Sequence, residues 1–278
     1  MFRGTQHMAE VVRRIGLATL LFLSISQGSL AADGASKASL QTDTRPAISI
    51  IIDDLGNLKS RDSRAIYLPG AVTYAFLPHT PHARELAMLA HSLNKEVMLH
   101  LPMESMQHNH LGPGGLTLDM TYQEFARQLR ADLESVPHIA GVNNHMGSLL
   151  TQHPGHMAWL MQEISKHDNL YFVDSYTTKT SVANQLANEH WVPNLRRDVF
   201  LDDDRDPLKI KREFNRLIQK AKENGIALGI GHPYPETLAI LEAELPALEA
   251  EGIQLVAVSK LLDRHLQQAR TWRAFLSP

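Results

Sequence analysis

The sequence contains no cysteine among its 278 residues. That absence excludes disulfide bridges, thiolate zinc sites, iron–sulfur clusters and a cysteine nucleophile in one step. Any metal site must therefore use nitrogen and oxygen ligands. The chain also lacks an excess of basic charge, because 27 lysines and arginines face 30 acidic residues, for a formal net charge of −3. A nucleic acid is therefore not an expected partner.

The apolar run near the N-terminus favours a cleaved signal peptide over a permanent membrane span. Arg13 and Arg14 precede apolar residues 15–25, and residues 29–31 supply the small side chains that a signal peptidase reads. The run is about half of the roughly 20 residues that a spanning helix needs. We expect a signal peptide at residues 1–31 and a flexible leader at residues 32–45; an uncleaved anchor is the alternative. The mature protein would then be periplasmic or secreted, with no stable membrane span.

From Pro46 onward, short β-branched apolar runs alternate with longer amphipathic stretches, which is typical of parallel strands joined by crossover helices. Strands are predicted at residues 47–53, 72–77, 96–101, 139–144, 170–174, 226–230 and 253–258, with a weaker one at 198–201. Helices are predicted at residues 81–93, 122–135, 154–167, 207–224 and 235–248. This α/β pattern favours a closed or nearly closed barrel over residues 46–265, followed by a C-terminal tail at 266–278. An open doubly wound sheet is the alternative, but no GxGxxG follows the first strand.

Five of the predicted strands end in a carboxylate or an imidazole. Because the carboxyl ends of parallel strands meet at one face of the fold, these side chains should share a rim. Unpaired charge is costly to bury there, so we expect the cluster to bind a cation or to transfer protons. The residues concerned are Asp53, Asp54, His100, His145, Asp174 and His232.

Asp54, His100 and His145 form a plausible ligand set for a catalytic metal. Just past a strand end, the twist lets one of two adjacent carboxylates hold a metal while the other stays free to take a proton. One carboxylate and two imidazoles leave a coordination position open for water, as a catalytic zinc requires. Zinc is the preferred ion, although manganese, nickel, cobalt or iron would also suit these ligands. The alternatives are an aspartate that caps the turn at Gly56 and histidines with structural hydrogen bonds.

The remaining rim residues have both a functional and a structural interpretation. His232, between a glycine and a proline, suits a general acid or a turn cap. Asp174 would orient an imidazole or cap the following helix. Glu104 is a further oxygen ligand or an exposed loop residue. The acidic run at residues 202–204 is typical of a solvated face, although its loop could bring one aspartate to the rim.

Several of these runs resemble a known enzyme superfamily. Residues 51–54, 96–100 and 231–233 resemble the first, second and last motifs of the polysaccharide deacetylase (NodB-homology) superfamily. The body is more closely similar to the divergent polysaccharide deacetylase family, at residues 100–103, 141–148, 171–175, 199–203 and 229–233. The resemblance implies a deformed (β/α) barrel of about seven strands with a divalent metal. It also implies Asp53 as the base, Asp54 and His100 as ligands, and His232 as the acid.

Two departures from the superfamily pattern bear on the third ligand. The second metal imidazole of the superfamily lies four residues after the first, where this chain has Glu104, and residues 143–145 replace an Arg-x-Pro-Tyr motif. From the rim geometry we expect His145 to supply the missing ligand, with Glu104 as the alternative. The implied function is removal of an N-acetyl or other acyl group from an envelope glycan, such as peptidoglycan. The alternatives are a glycan-binding or scaffold protein without catalysis, and a metal-dependent esterase or phosphoesterase.

Overall fold

The computed structural model describes residues 44–276, with side chains through Thr271. The predicted signal peptide at residues 1–31 and nearly all of the predicted leader at 32–45 lie outside the described residues. Between residues 44 and 276, no helix has both the length and the apolar character that crossing a bilayer requires.

The described chain alternates strands and helices along most of its length. The strands are β1 (Ala47–Leu55), β2 (Thr73–Phe76), β3 (Glu96–Met103), β4 (Ile139–Met146), β5 (Tyr171–Asp174), β6 (Asn194–Arg196), β7 (Val199–Phe200), β8 (Ile226–Gly231) and β9 (Gln254–Leu255). The helices are α1 (Lys59–Ile66), α2 (Ala83–Ser92), α3 (Tyr122–Ser135), α4 (Pro154–Ile164), α5 (Ala183–Glu189), α6 (Pro207–Asn224), α7 (Pro235–Glu244) and α8 (Val258–Leu276). Single 3₁₀ turns lie at Leu150–Gln152 and Leu245–Ala247.

The strands form one curled, parallel sheet in the order β6-β5-β4-β3-β2-β1-β8-β7, with β9 beside β1. The two end strands, β6 and β7, are consecutive in the chain and are separated by two residues only. The amide of Arg197 bonds to the Asp174 carbonyl on β5, and the amide of Asp198 bonds to the Leu228 carbonyl on β8. This short crossing joins the two edges of the sheet and makes the barrel nearly closed.

Side chains alternate between two buried layers along each central strand, as the pleat of a strand requires. On β1, Ile48, Ile50 and Ile52 pack with the surrounding helices. Ala47 and Ile51 pack instead with the smaller cluster inside the barrel. The parity of a residue along its strand therefore decides whether its side chain reaches the barrel interior.

Helix α8 covers the amino-terminal end of the barrel. Its residues Val258, Leu261 and Leu262 belong to the same buried cluster as the inward-facing residues of β1 and β8. Burial of apolar side chains of this size stabilises the fold by roughly 1.5–3 kcal/mol each. The first turns of α8 are thus part of the core.

A half-buried carboxylate fixes the start of α8. Glu96 accepts hydrogen bonds from the backbone amide of Ser259 at 3.2 Å, from Thr73 Oγ1 at 3.0 Å and from Tyr171 Oη at 2.9 Å. A carboxylate at a helix N-terminus satisfies amides that have no partner within the helix. Apolar packing and this polar contact together close the lower end of the barrel.

The predicted α/β class with a deformed parallel barrel is confirmed. Four local features differ from the prediction. The weak strand predicted at 198–201 is the two-residue β7, and the short strand β6 before it was not predicted. The strand predicted at 253–258 is only the two-residue β9, and the chain already enters α8 at Val258. The boundary drawn between residues 265 and 266 falls inside α8, and α1 and α5 were not among the predicted helices.

The contribution of α8 to the core can be measured by two leucine substitutions. Leu261→Ala removes a side chain that is 1% exposed, so we expect the free energy of unfolding to fall by about 2–5 kcal/mol. Leu266→Ala is the matched control, because Leu266 is 38% exposed and should cost less than about 0.5 kcal/mol. Urea unfolding followed by circular dichroism measures both. Equal, small effects would contradict the packing described for α8.

Candidate metal and catalytic site

Two adjacent carboxylates face one cleft because β1 is irregular near its carboxyl end. Asp53 has the inward parity of Ile51 and is buried. The register between β1 and β2 then shifts between Ile52 and Leu55, and Asp54 has a left-handed φ of 61°. A bulge of this kind re-aims the next side chain, whereas a regular strand would turn Asp54 to the opposite face. Both carboxylates consequently reach the rim of the barrel.

The neighbouring strands bring nitrogen groups to the same rim. The side chains share the parity of the residues that build the barrel interior, so they point over the mouth of the barrel. They are His100 on β3, Asn143 and His145 on β4, and His232 just after β8. The rim thus collects side chains from β1, β3, β4 and β8.

Asp54, His100 and His145 converge as predicted from the sequence. Asp54 Oδ1 lies 3.2 Å from His100 Nε2 and 3.0 Å from His145 Nδ1, and the two imidazole nitrogens are 3.2 Å apart. Among the described residues, this is the one group of three or more histidine, aspartate or glutamate side chains whose ligand atoms lie close enough to hold an ion.

A hydrogen-bond chain sets the orientation of His100. Asn143 Nδ2 donates to Asp53 Oδ1 at 2.8 Å, which turns the amide oxygen of Asn143 towards His100 Nδ1 at 2.9 Å. His100 Nδ1 must therefore carry the proton and donate it to that oxygen. In the neutral ring, Nε2 then presents a lone pair towards Asp54 and His145, as a metal ligand does.

The three converging atoms fit a divalent cation. Asp54 Oδ1 is shielded from solvent, and neither nearby imidazole reaches it in hydrogen-bond geometry, so it is a buried acceptor without a hydrogen-bond partner. The 3.0–3.2 Å edges of the triangle are close to the separation of about 3.3 Å between donor atoms that each lie about 2.0 Å from a tetrahedral ion. The donor set therefore suits zinc or a similar ion.

The two aspartates are driven in opposite electrostatic directions. Burial raises the pKa of Asp53, although His100, His232 and the Asn143 amide oppose that rise. Burial also raises the pKa of Asp54, but His100 and His145 outweigh it and hold that pKa well below the usual range. Asp54 is thus a permanent anion suited to a cation, whereas Asp53 has the greater tendency to accept a proton.

His232 is held in place by Asp202. Asp202 Oδ1 lies 2.9 Å from His232 Nδ1, and Asp202 Oδ2 accepts the His232 backbone amide at 2.7 Å and Thr237 Oγ1 at 2.7 Å. Burial lowers the pKa of His232, but Asp202 and the carboxylates of Asp54 and Asp53 raise it to about 9. His232 is thus protonated at neutral pH, and its Nε2 faces Asp54 Oδ2 at 3.8 Å.

Asp174 does not orient an imidazole, which corrects its predicted catalytic role. Its Oδ1 accepts the Tyr176 amide at 2.8 Å and its Oδ2 accepts Ser181 Oγ at 2.8 Å. Within residues 44–276, no hydrogen bond or ion pair joins Asp174 to a rim histidine. The physical reason is parity, because Asp174 shares the face of Phe172 towards the helices and not the barrel interior. Asp174 instead organises the loop before α5.

Glu104 also lies apart from the three converging atoms. Its Oε2 accepts the Leu118 amide at 2.8 Å, and its Oε1 lies 3.5 Å from His108 Nδ1. The carboxylate therefore supports the long segment between β3 and α3. Of the two candidates for a third ligand, His145 is the one that meets Asp54 and His100.

Sequence reasoning did not assign roles to Asn143 and Asp202. Asn143 pairs with Val173 of β5, which belongs to the interior cluster, and the available sequence signal was its position two residues before His145. Asp202 stands first in a run of three acidic residues, so the composition favoured a solvated surface. Asp202 is in fact buried, and Asp203 and Asp204 are the exposed residues of the run.

Comparison with solved structures places the curled sheet among deacetylase-like folds. An uncharacterised protein from Agrobacterium tumefaciens superposes with a TM-score of 0.75 at 24% identity, covering 78% of this chain and 89% of that one. The peptidoglycan deacetylase PdaC from Bacillus subtilis superposes with a TM-score of 0.50 at 16% identity, covering 84% and 99%. At these identities the likeness concerns the fold alone.

Sequence comparison identifies the family. A model of the divergent polysaccharide deacetylase family matches residues 50–262. The uncharacterised protein YibQ from Escherichia coli is 38% identical over 216 residues, which cover 78% of this chain and 67% of YibQ. The chain belongs to the divergent polysaccharide deacetylase family, as the motif resemblance predicted.

The coupling between Asp202 and His232 can be measured by NMR titration of chelator-treated protein. Asp202→Asn removes the anion nearest the ring, so the pKa of His232 should fall from about 9 towards the ordinary value of about 6.5. Asp203→Asn is the matched control, since it removes the next acidic residue and should leave the pKa near 9. Equal decreases in the two variants would indicate a general charge effect and contradict the specific pairing.

Proposed function

We propose that this protein is an exported, metal-dependent hydrolase that removes an N-acetyl or related acyl group from an envelope glycan. The observation that carries the proposal is the meeting, in one cleft, of a ligand triad, a separate carboxylate and a carboxylate-oriented imidazole. Membership of a deacetylase family supports the reaction class. The signal-like features of residues 1–31 support a periplasmic or secreted location.

Asp54, His100 and His145 are the residues that would hold the cation, for which zinc is our preferred ion. When bound, a divalent cation supplies Lewis acidity towards the acyl carbonyl and lowers the pKa of water. Asn143 contributes by holding His100 in the tautomer that presents Nε2. Its second contact, to Asp53 Oδ1, fixes the neighbouring carboxylate.

Asp53 is proposed as the general base. Asn143 occupies its Oδ1, and among the described residues no hydrogen bond reaches its Oδ2, which is free to accept a proton from the attacking water. The burial that raises the pKa of Asp53 makes this carboxylate a stronger base than an exposed one. Water oxygen then adds to the acyl carbon as the proton passes to Asp53.

His232 is proposed as the general acid. Asp202 orients its ring and keeps it protonated, so Nε2 holds a proton on the side that faces the cleft. As the bond from acyl carbon to nitrogen breaks, that proton passes to the departing amine and prevents its expulsion as an anion. The products are a carboxylate and a free amino sugar.

Metal content tests the assignment of the third ligand. Protein purified without chelators should contain about one equivalent of divalent metal, with zinc expected, by elemental analysis. His145→Asn should weaken zinc binding about 100-fold or more, because a ligand is lost. Glu104→Gln is the control and should keep its metal, since Glu104 contacts the Leu118 amide and not the triad. Loss of metal in Glu104→Gln with retention in His145→Asn would reverse the assignment.

Acetate release from N-acetylated peptidoglycan fragments tests the reaction itself. Asp53→Asn should lower kcat about 100- to 10,000-fold while the metal stays bound, because only the proton acceptor is lost. Asp263→Asn, an exposed position on α8, should leave turnover unchanged. Unchanged turnover in Asp53→Asn would contradict its role. A metal-loaded wild type that binds glycan without releasing acyl groups would favour the binding or scaffold alternative.

A further inference from the structure

The cleft extends in one direction from the ligand triad. Its volume is about 640 Å³, and it runs from His100 and His145 across the ends of β5, β6 and β7 to the first half of α6. That volume lies within the usual range for sites that hold a whole small ligand, and it exceeds the needs of an acetyl group. The side of the cleft near α6 therefore has room for the sugar that neighbours the reacting one.

Arg197 stands on this side as a cation without a carboxylate partner. Its Nε donates to the Ser175 carbonyl at 2.6 Å and its Nη2 to the Tyr176 carbonyl at 3.0 Å, while the Phe200 ring centre lies 4.8 Å away. Within residues 44–276, no carboxylate oxygen lies within 4.0 Å of its guanidinium nitrogens. Burial lowers the pKa of Arg197, and the more distant carboxylates of Asp53, Asp174 and Asp203 oppose that decrease. The remaining N–H groups of the guanidinium are available to a ligand.

The first half of α6 adds cations that are incompletely neutralised. Glu213 is shared by two arginines, with Arg216 Nη1 at 2.6 Å and Arg212 Nε at 3.4 Å. Lys209 pairs with Asp204. One carboxylate between two guanidinium groups leaves some of their N–H groups without an anionic partner.

Free hydrogen-bond donors, rather than an excess of positive charge, favour an anion beside Arg197. The cleft is lined by four cationic side chains and four carboxylates, the cations being Arg197, Lys209, Arg212 and Arg216 and the acids Asp53, Asp203, Asp204 and Glu213. Asp53, Asp174 and Asp203 attract the charge of Arg197 from a distance, but none of them forms an ion pair with its guanidinium group. Guanidinium groups bind carboxylate and phosphate oxygens in a planar, two-bond geometry, which the free N–H groups of Arg197 can supply.

We propose that Arg197 and Arg216 form a subsite for an anionic substituent on the sugar next to the one that is deacylated. The substrate class is then an acidic glycan whose carboxylate or phosphate is held on the α6 side while the acyl group reaches the triad. This inference rests on the proposed function for the location of the reacting sugar. It adds a specificity that the triad, which contacts only the acyl group and water, does not supply.

Binding to a catalytically blocked protein tests the subsite. We would measure the affinity of metal-loaded Asp53→Asn protein by calorimetry for a peptide-free peptidoglycan tetrasaccharide with free lactyl carboxylates, and for the same compound as its methyl esters. The free acid should bind about tenfold or more tightly, with the difference shrinking at high salt. A chitotetraose and its 6-phosphorylated form provide the matching pair for phosphate, and comparison of the two pairs identifies the source of the anion.

Three arginine variants, each made in the Asp53→Asn background, locate the preference. Arg197→Gln should abolish the preference for the anionic compound over its uncharged counterpart. Because Arg197 also supports the Ser175–Tyr176 loop, Arg216→Gln serves as a second variant at an exposed position and should reduce the preference without disturbing that loop. Arg130→Gln on α3 is the matched control and should keep the full preference, since its partner Glu163 retains Lys166 and Tyr122.

The outcomes separate the subsite from the proposed reaction. Equal affinity for acid and ester, together with equal affinity for the phosphorylated and plain oligomers, would overturn the subsite even if the wild type releases acetate. A preference that survives in both Arg197→Gln and Arg216→Gln would also overturn it. A preference that those variants remove supports the subsite even if no acetate release is detected, in which case only the proposed hydrolysis fails.

Discussion

The site depends on the alternation of side chains along parallel strands that end at one rim, together with one bulge that breaks it. Alternation alone aims Asp53, His100, Asn143 and His145 over the barrel mouth, but it would send Asp54 to the opposite face. The register shift and the left-handed backbone at Asp54 correct that single position. The backbone of β1 is locally strained at this point, and because of that irregularity two carboxylates converge on two imidazoles.

Each charged group of the cluster lies against another member that compensates it. Asp54 is surrounded by imidazoles, His232 by Asp202, and Asp53 by the amide of Asn143. Burial acts against the charged form of every one of these groups, so loss of one partner leaves another uncompensated. The same contacts also make the two adjacent carboxylates different. Asp54 is held as an anion, whereas Asp53 keeps one oxygen without a hydrogen bond among the described residues.

Much of this arrangement followed from the sequence, and the failures have identifiable causes. Alternating β-branched runs and amphipathic stretches gave the α/β barrel, and polar residues at strand ends gave the convergence of Asp54, His100 and His145. Asp174 was predicted at the rim because it ends a strand, but the prediction did not consider which face of the strand its side chain occupies. Asp202 was passed over because an acidic run conceals which member is buried. Strand β6 was missed and β7 was predicted only as a weak strand, since strands of three and two residues carry almost no periodic signal.

Helix α8 packs beneath the interior cluster and closes the amino-terminal end of the barrel. A polymer cannot pass through a barrel that is closed at one end. A ligand that contacts Asp53 therefore enters and leaves by the opening at the carboxyl ends of the strands. If the substrate is the glycan proposed above, a long chain would have to lie across that opening, which is compatible with reaction at interior sugars as well as at chain ends. Helix α8 thus determines the direction from which a ligand approaches, although it lies at the opposite end of the barrel from Asp53.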